Sequence, residues 1–177
     1  FLLLLSPFIA LPAHAQLRVD VTRGMQEPMP IALPYLPGGN AQGEQVGVDI
    51  MRVVAADLER SGLFKPINQG AFIEKISAST GTPRFPDWRQ INAQALVTGV
   101  VSVEAGDKIR VSFRLWDILG EQQIAGKEYN TFKSNWRRTA HIIADEIYKR
   151  LTGENGYFDT RIVYVAESGP AKARVKR

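Results

Sequence analysis

The chain has 177 residues, of which 45% are hydrophobic and 23% charged, which suits one folded domain with part of a second and excludes a disordered chain. It contains no cysteine, which excludes structural disulfides, a lipidated cysteine, thiol catalysis and cysteine-ligated zinc or iron–sulfur clusters. The net charge of +4 comes from four basic residues among the last six, so it does not indicate a nucleic-acid-binding face.

The chain begins with a short apolar run, residues 1–11, which leads to a small-x-small site formed by Ala13 and Ala15. This pattern is typical of the h-region and cleavage site of a secretory signal peptide. The run is shorter than the roughly 20 residues that are needed to span a membrane. We therefore expect residues 1–15 to be a signal peptide without its basic n-region, and the mature chain to start at Gln16. A buried amino-terminal strand is the alternative interpretation.

The next segment alternates between apolar and polar side chains, a period of two that predicts a half-buried or edge strand. We call it the amino-terminal segment, and it consists of Gln16, Leu17, Arg18, Val19, Asp20, Val21 and Thr22. A second, short strand is predicted at residues 31–33. Prolines on both sides limit its length, because proline cannot donate to a ladder.

Two amphipathic helices are predicted at residues 46–61 and 134–151, the second capped by Ser134. Glycines that follow each helix suit a left-handed ending. Between the helices, the pattern predicts a strand at residues 63–67 and a short helix from residue 85 to about residue 93.

A three-strand antiparallel meander is the clearest block, at residues 95–103, 108–118 and 122–132. Gly99 lies inside the first strand and indicates either a close backbone approach or a bulge. Trp116 falls on the polar face, where we expect another element to cover it; a contact with a partner is the alternative. The order of elements predicts an α/β fold, a mixed sheet with two main helices packed on one side.

His141, the one histidine after the predicted cleavage site, lies on the polar stripe of the last helix, and we interpret it as solvated. On the same helix, the spacing predicts ion pairs between Asp145 and Lys149 and between Glu146 and Arg150. One histidine without cysteine makes a transition-metal site unfavourable, so we expect no metal site.

Paired carboxylates are the remaining candidates for acid–base chemistry on sugars. The pairs are Asp20 with Glu27, Glu104 with Asp107, and Asp117 with Glu121, and each lies in a turn or at a strand end, where acids are common for solvation alone. A glycine spacing over residues 38–43 resembles a phosphate-binding loop, but a glutamate follows where a lysine is needed. We therefore expect neither a catalytic residue nor a cofactor.

A strand-forming amino terminus without a reactive cluster indicates a binding protein that pairs with the edge of a partner's sheet. Two alternatives stay open at this point. One is an exported polysaccharide-processing enzyme, and the other is a structural oligomerisation module.

Four segments of the chain carry a resemblance to a known family: QLRVDVTRGMQEPMPIALPYL, VGVDIMRVVAADLERSGLFKPI, WRQINAQALVTGVV and SNWRRTAHIIADEIYKRLTGENGYFDTRIVYVAESG. Together they resemble the TolB family, periplasmic proteins of the bacterial Tol–Pal system. The most specific parts are AADLERSGLF and TAHIIADEIYKRLTGENGYFDTRIVYV.

The resemblance implies a non-catalytic, monomeric periplasmic adaptor without cofactor, nucleic acid or small-molecule substrate. Such an adaptor links inner-membrane TolA to the outer-membrane lipoprotein Pal, and it supports outer-membrane integrity and cell division. The family's TolA-contacting peptide corresponds to residues 16–22, and its conformation is expected to respond to Pal.

The resemblance also implies a domain organisation. Residues 16–156 would form the family's α/β domain, which is similar in fold to a tRNA-synthetase anticodon-binding domain yet binds no RNA. Residues 157–177 would be the first strand or hairpin of a six-bladed β-propeller, most of which is missing from this sequence. That propeller holds the family's Pal-binding surface.

Overall fold

The computed structural model describes residues 27–77 and 81–160, together with the strand backbones at 167–168 and 175–176. The predicted signal peptide and the amino-terminal segment lie outside these residues. The helices are α1 (Ala41–Arg60), α2 (Phe85–Gln90) and α3 (Trp136–Thr152). The strands are β1 (Met29–Ala32), β2 (Phe64–Pro66), β3 (Ala95–Glu104), β4 (Lys108–Asp117), β5 (Gln122–Phe132), β6 (Glu167–Ser168) and β7 (Val175–Lys176).

The main sheet has five strands in the order β2-β1-β3-β4-β5. β1 pairs in parallel with both β2 and β3, while β3, β4 and β5 form an antiparallel meander. The predicted mixed sheet is thereby confirmed. β6 and β7 pair with each other in an antiparallel two-stranded sheet, within the residues 157–177 for which the resemblance implies the first strand or hairpin of a propeller.

Helices α1 and α3 cover one face of the sheet, as predicted, because both carry an apolar stripe at helical spacing. Their buried side chains meet the inward residues of the sheet, which alternate along each strand. The core on this face includes Ile50, Val54, Leu58, Val97, Val111, Phe113, Ile143 and Ile147. A smaller cluster covers one end of the opposite face and includes Phe72, Phe85, Trp88, Leu96, Trp116 and Ile118.

Both helix starts differ from the prediction. α1 begins at Ala41 rather than at residue 46, because the Asn40 side chain accepts a hydrogen bond from the Gly43 amide at 2.9 Å and caps the helix. Ser134 does not cap α3; it lies in a short 3-10 turn, and the N-cap position belongs to Asn135, whose side chain makes no capping bond. The helix ends are confirmed, because Gly62 and Gly153 have φ values of 75° and 84°.

Two expectations about the meander are confirmed. A Cβ on Gly99 would lie 2.0 Å from the Ser112 carbonyl oxygen, so this glycine permits a close approach of β3 and β4. Trp116 is covered: its ring packs edge-on against Phe85, and its indole N–H donates to Thr98 Oγ1 at 2.8 Å.

The ion pairs predicted within α3 are wrong, because both acids bind groups that are distant in the sequence. Asp145 accepts hydrogen bonds from the backbone amides of Phe158 and Asp159, at 2.7 and 3.1 Å. Glu146 pairs with Lys127 of β5, and Arg150 donates to the Ile124 carbonyl oxygen at 2.7 Å. α3 is therefore fastened to the sheet edge and to the segment that follows it.

Tyr129 of β5 faces α3 and stacks on Phe113, with ring planes 5° apart. Its hydroxyl is buried without a hydrogen-bond partner in the described part of the chain. Burial, and secondly the Glu146 carboxylate, raise the pKa of Tyr129 to about 12. The hydroxyl therefore contributes a desolvation cost without a compensating bond.

We predict that Gly47→Ala destabilises the fold. The added Cβ would lie 1.9 Å from the Leu36 carbonyl oxygen, so α1 must move away from the segment after β1. We expect the free energy of unfolding, measured with urea, to fall by about 1–3 kcal/mol. Gly39→Ala is the matched control, since nothing lies within 4 Å of its Cβ, and equal losses in both variants would contradict the prediction.

Tyr129→Phe should cost little or no stability at pH 7, because it removes an unsatisfied hydroxyl. An ordinary tyrosine ionises near pH 10.0 and folded Tyr129 near 12, so ionisation favours the unfolded chain over this interval. The wild type should therefore lose stability as the pH rises from 10 towards 12, and the variant should lose less. Urea unfolding at pH 7 and across the alkaline range tests this, and parallel curves above pH 10 would contradict it.

Candidate functional site

The predicted binding and cleavage residues, Ala13, Ala15 and residues 16–22, lie outside the described residues. The structure does place the point where the chain enters the sheet. The Met29 amide donates to the Leu63 carbonyl oxygen at 2.9 Å, and Ile31 is paired with Ala95 at the start of β3. The chain therefore enters β1 at the end of the sheet where β3 begins and β4 ends.

The two edges of the main sheet differ in length: β2 has three residues and β5 has eleven. β5 is the longer open edge, but it has features that discourage pairing with another strand. The pairing register of β5 with β4 shifts between Leu115 and Trp116, which marks a bulge or irregularity. Lys127 of β5 pairs with Glu146 of α3, and Arg150 donates a hydrogen bond to the Ile124 carbonyl oxygen. The described domain therefore offers no long, regular edge to an incoming strand, which favours a partner's sheet as the acceptor.

The carboxylates proposed for acid–base chemistry form no common site among the described residues. Glu104 pairs with Arg110 at 2.8 Å. Asp117 is buried, and its Oδ1 accepts the backbone amides of Leu119 and Gly120. Glu121 pairs with Arg89 at 2.6 Å. These acids stabilise turns and bridge elements, and Asp20 lies outside the described residues.

The glycine-rich segment at residues 38–43 leads into α1 and serves packing. A Cβ on Gly38 would lie 2.2 Å from the Glu44 nitrogen, so the loop folds tightly against the first turn of the helix. Gly38 also forms an isolated parallel bridge to Val101 of β3. The Asn40 side chain accepts a hydrogen bond from the Gly43 amide, one of the amides at this helix start that have no partner within the helix, so the loop caps α1.

His141 is not a freely solvated side chain, which corrects the sequence interpretation. Its Nδ1 lies 2.6 Å from Oδ2 of Asp57, whose carboxylate is only 3% exposed. Arg60 contacts the other oxygen of Asp57 at 3.3 Å. The contact joins α1 to α3, so we assign His141 a structural role between the helices.

A shallow groove of about 310 Å³ opens where the first turns of α1 and α3 lie side by side. We call it the α1–α3 groove. It is lined mainly by Gln42, Gln45, Val46, Asp49, Lys133 and Trp136. Its wall combines one aromatic ring, a valine and two amides with a cation and a carboxylate, a mixture that suits a peptide side chain.

The charged side chains in and beside the groove differ in whether they have a polar partner. Asp49 accepts a hydrogen bond from Gln45 at 3.1 Å and lies 3.8 Å from Arg52. Arg137 lies over the Trp136 ring, with its guanidinium carbon 5.2 Å from the ring centroid. Among the described residues, neither Lys133 nor Arg137 has an ion-pair partner.

Sequence reasoning missed the Asp57–His141 pair and the α1–α3 groove. A signal for the pair was present, because Asp57 follows Val54 by three residues and therefore shares the apolar face of α1. For the groove, the signal was a helix start with basic residues and without an acid in its first turn.

Residues 27–77 and 81–160 also bear on two other classes of site, a metal centre and a membrane span. No group of three or more histidine, aspartate or glutamate side chains there has a geometry that could hold a metal ion. None of the helices in this part of the chain has the length and apolar character that a membrane span requires.

Comparison with known proteins identifies relatives over most of the chain. The family model described as the TolB amino-terminal domain matches residues 17–124. The Tol-Pal system protein TolB of Paramagnetospirillum magneticum is 54% identical over 167 residues, which cover 94% of this chain and 37% of that protein. The crystal structure of TolB from Acinetobacter baumannii is similar with a TM-score of 0.65 and 27% identity, over 85% of this chain and 35% of that one. The chain thus spans little more than a third of the length of these relatives.

We predict that His141→Ala destabilises the fold, because it leaves the buried Asp57 carboxylate without its closest partner. A hydrogen bond to a charged group contributes about 1.5–3 kcal/mol, and we expect a loss of this size in urea unfolding at pH 7. The loss should shrink when Asp57→Asn is already present, as a double-mutant cycle would show.

Arg60→Ala is the control for this pair. Arg60 also contacts Asp57 but is 73% exposed, so its removal should cost no more than about 1 kcal/mol. Fully additive losses for His141→Ala and Asp57→Asn would show that the pair does not contribute to stability.

Proposed function

Since the chain belongs to the TolB amino-terminal domain family, we propose that it acts in the Tol–Pal system as part of a non-catalytic periplasmic adaptor. The observation that carries this proposal is the 54% identity, over 94% of the chain, to a Tol-Pal system protein. Among the described acids that were candidates for polysaccharide processing, Glu104 and Glu121 instead form ion pairs and Asp117 accepts hydrogen bonds in a turn, which agrees with a binding protein.

The amino-terminal segment is the proposed contact with TolA, by addition of a strand to that partner's sheet. Each backbone hydrogen bond gained contributes only about 1 kcal/mol net. Ordering the segment costs about 1–2 kcal/mol per residue. The apolar residues Leu17, Val19 and Val21 must therefore supply the remainder, at up to about 1.5–3 kcal/mol each when fully buried.

The adaptor links TolA at the inner membrane to Pal at the outer membrane, and through this link it supports outer-membrane integrity and cell division. We assign the Pal contact to the sequence beyond the α/β domain, where residues 157–177 begin a propeller. Pairing of β6 with β7 is compatible with such a beginning. The signal peptide, cleaved between Ala15 and Gln16, delivers the protein to the periplasm.

The proposal predicts that the apolar side of the amino-terminal segment determines TolA binding. Replacing Leu17, Val19 and Val21 by serine in the mature chain should weaken binding to purified TolA at least about tenfold by isothermal titration calorimetry. Deletion of residues 16–22 should abolish binding. Thermal unfolding should stay nearly unchanged in both variants, because this segment precedes the described fold.

The polar side of the same segment supplies a matched control. Serine at Arg18, Asp20 and Thr22 keeps the backbone and the length, and should change the affinity by no more than about threefold. Undiminished binding after deletion of residues 16–22 would refute the assignment. A stable homo-oligomer in sedimentation velocity would instead favour the oligomerisation module.

A further inference from the structure

We propose that the α1–α3 groove is a second docking surface, which takes an acidic peptide segment with one bulky apolar residue from a partner protein. The groove lies on the surface of the described domain, between α1 and α3, whereas the proposed TolA contact lies in residues 16–22. The inference therefore goes beyond the proposed function and does not rest on it.

The size of the groove selects a side chain rather than a large ligand. Its volume of about 310 Å³ is at the low end of the range for ligand pockets. Trp136 presents one partly exposed ring, while Val46 supplies a buried apolar wall. One leucine or phenylalanine of a peptide would fill this space against the indole. The amide of Gln42 and the amide oxygen of Gln45 would remain available to its backbone, while Gln45 Nε2 donates to Asp49.

The charges around the groove select an acidic partner. Three cations, Lys133, Arg137 and Arg52, lie in or beside it, and the one carboxylate of its wall, Asp49, already has two partners. Lys133 and Arg137 have no ion-pair partner among the described residues, so an incoming carboxylate displaces no existing pair. Cations near the start of a helix are also disfavoured by the helix dipole, so the stability of α3 does not explain them.

The arrangement matches the usual anatomy of a peptide-binding site. Trp136 is one of its lining residues, and the charged side chains in and beside it set partner choice and association rate. A basic rim rejects basic peptides as well as attracting acidic ones, which supplies specificity. Since the rim is exposed, the attraction should weaken as the salt concentration rises.

The test is an NMR titration of the mature ¹⁵N-labelled chain with a synthetic nonapeptide, one central leucine flanked on each side by four aspartates and glutamates. The reporter is the indole N–H signal of Trp136, one of three tryptophans in the chain. A peptide of the same length with lysines around the leucine is the control probe. We expect the acidic probe to shift the Trp136 signal and the basic probe to leave it in place.

Two charge-reversal variants locate the binding. The double variant Lys133→Glu and Arg137→Glu should weaken the acidic probe at least about tenfold. The double variant Lys108→Glu and Arg114→Glu makes the same change in net charge on exposed side chains of β4, and it should change the affinity by no more than about threefold. Unchanged circular dichroism melts show that both variants remain folded.

Four outcomes of the binding experiments would overturn the proposal. They are no shift of the Trp136 signal at saturating acidic peptide, equal weakening in both double variants, preference for the basic probe, and binding that appears only after residues 16–26 are removed. The last would make this chain's own segment the occupant. A homodimer in sedimentation velocity that the groove variant dissociates would make the occupant a second copy, and this would also reject an acidic partner.

Discussion

The sheet has one apolar face that two helices must cover together, and the rest of the domain follows from how α1 and α3 meet over it. Neither helix alone is wide enough to bury the inward residues of five strands. Close approach is obtained where Gly47 lies against the Leu36 carbonyl, which seats α1 near the sheet. Polar groups at the contact must then be paired, because an unpaired buried carboxylate is costly, and His141 satisfies this need for Asp57.

The same packing explains why binding is assigned to the margins of the domain. The face of the sheet that α1 and α3 cover is fully packed. On the edge strand β5, the register shift, Lys127 and the hydrogen bond from Arg150 reduce the length that is free to pair with another strand. Such features prevent uncontrolled pairing with other chains. These features of β5 are the reason why the proposed strand addition is assigned to the amino-terminal segment and not to an edge of the described sheet.

The sequence allowed most elements to be predicted, because their signals are local. The turn at residues 119–121 and the meander pattern predicted β5 at its observed limits, and helical spacing identified the core faces of α1 and α3. The wrong predictions concerned side chains that can bind either a partner nearby in the sequence or one brought close by the fold. Ser134 was a reasonable cap by type, and Asp145 had Lys149 four residues away, but tertiary packing offered Asp145 two backbone amides instead.

The candidate sites were less predictable than the fold for the same physical reason. The α1–α3 groove forms because residues 42–49 and 133–136 lie close together in the fold. A local sequence pattern does not predict a contact between segments so far apart in the chain. The amino-terminal segment has a clear alternation, yet the partner proposed for it rests on resemblance to the family.

α3 is the element in which these constraints meet. It supplies half of the helical cover, pairs with α1 through His141, binds β5 through Glu146 and Arg150, and forms one wall of the α1–α3 groove. Its Asp145 and Arg138 also hold the following segment, through the amides of Phe158 and Asp159 and the Asp159 carboxylate. A helix held on so many sides has little freedom to move, so its backbone presents Trp136 to the groove from a fixed position. Peptide recognition in the groove therefore incurs little cost for ordering the protein, and the affinity depends mainly on the fit and charge of the incoming segment.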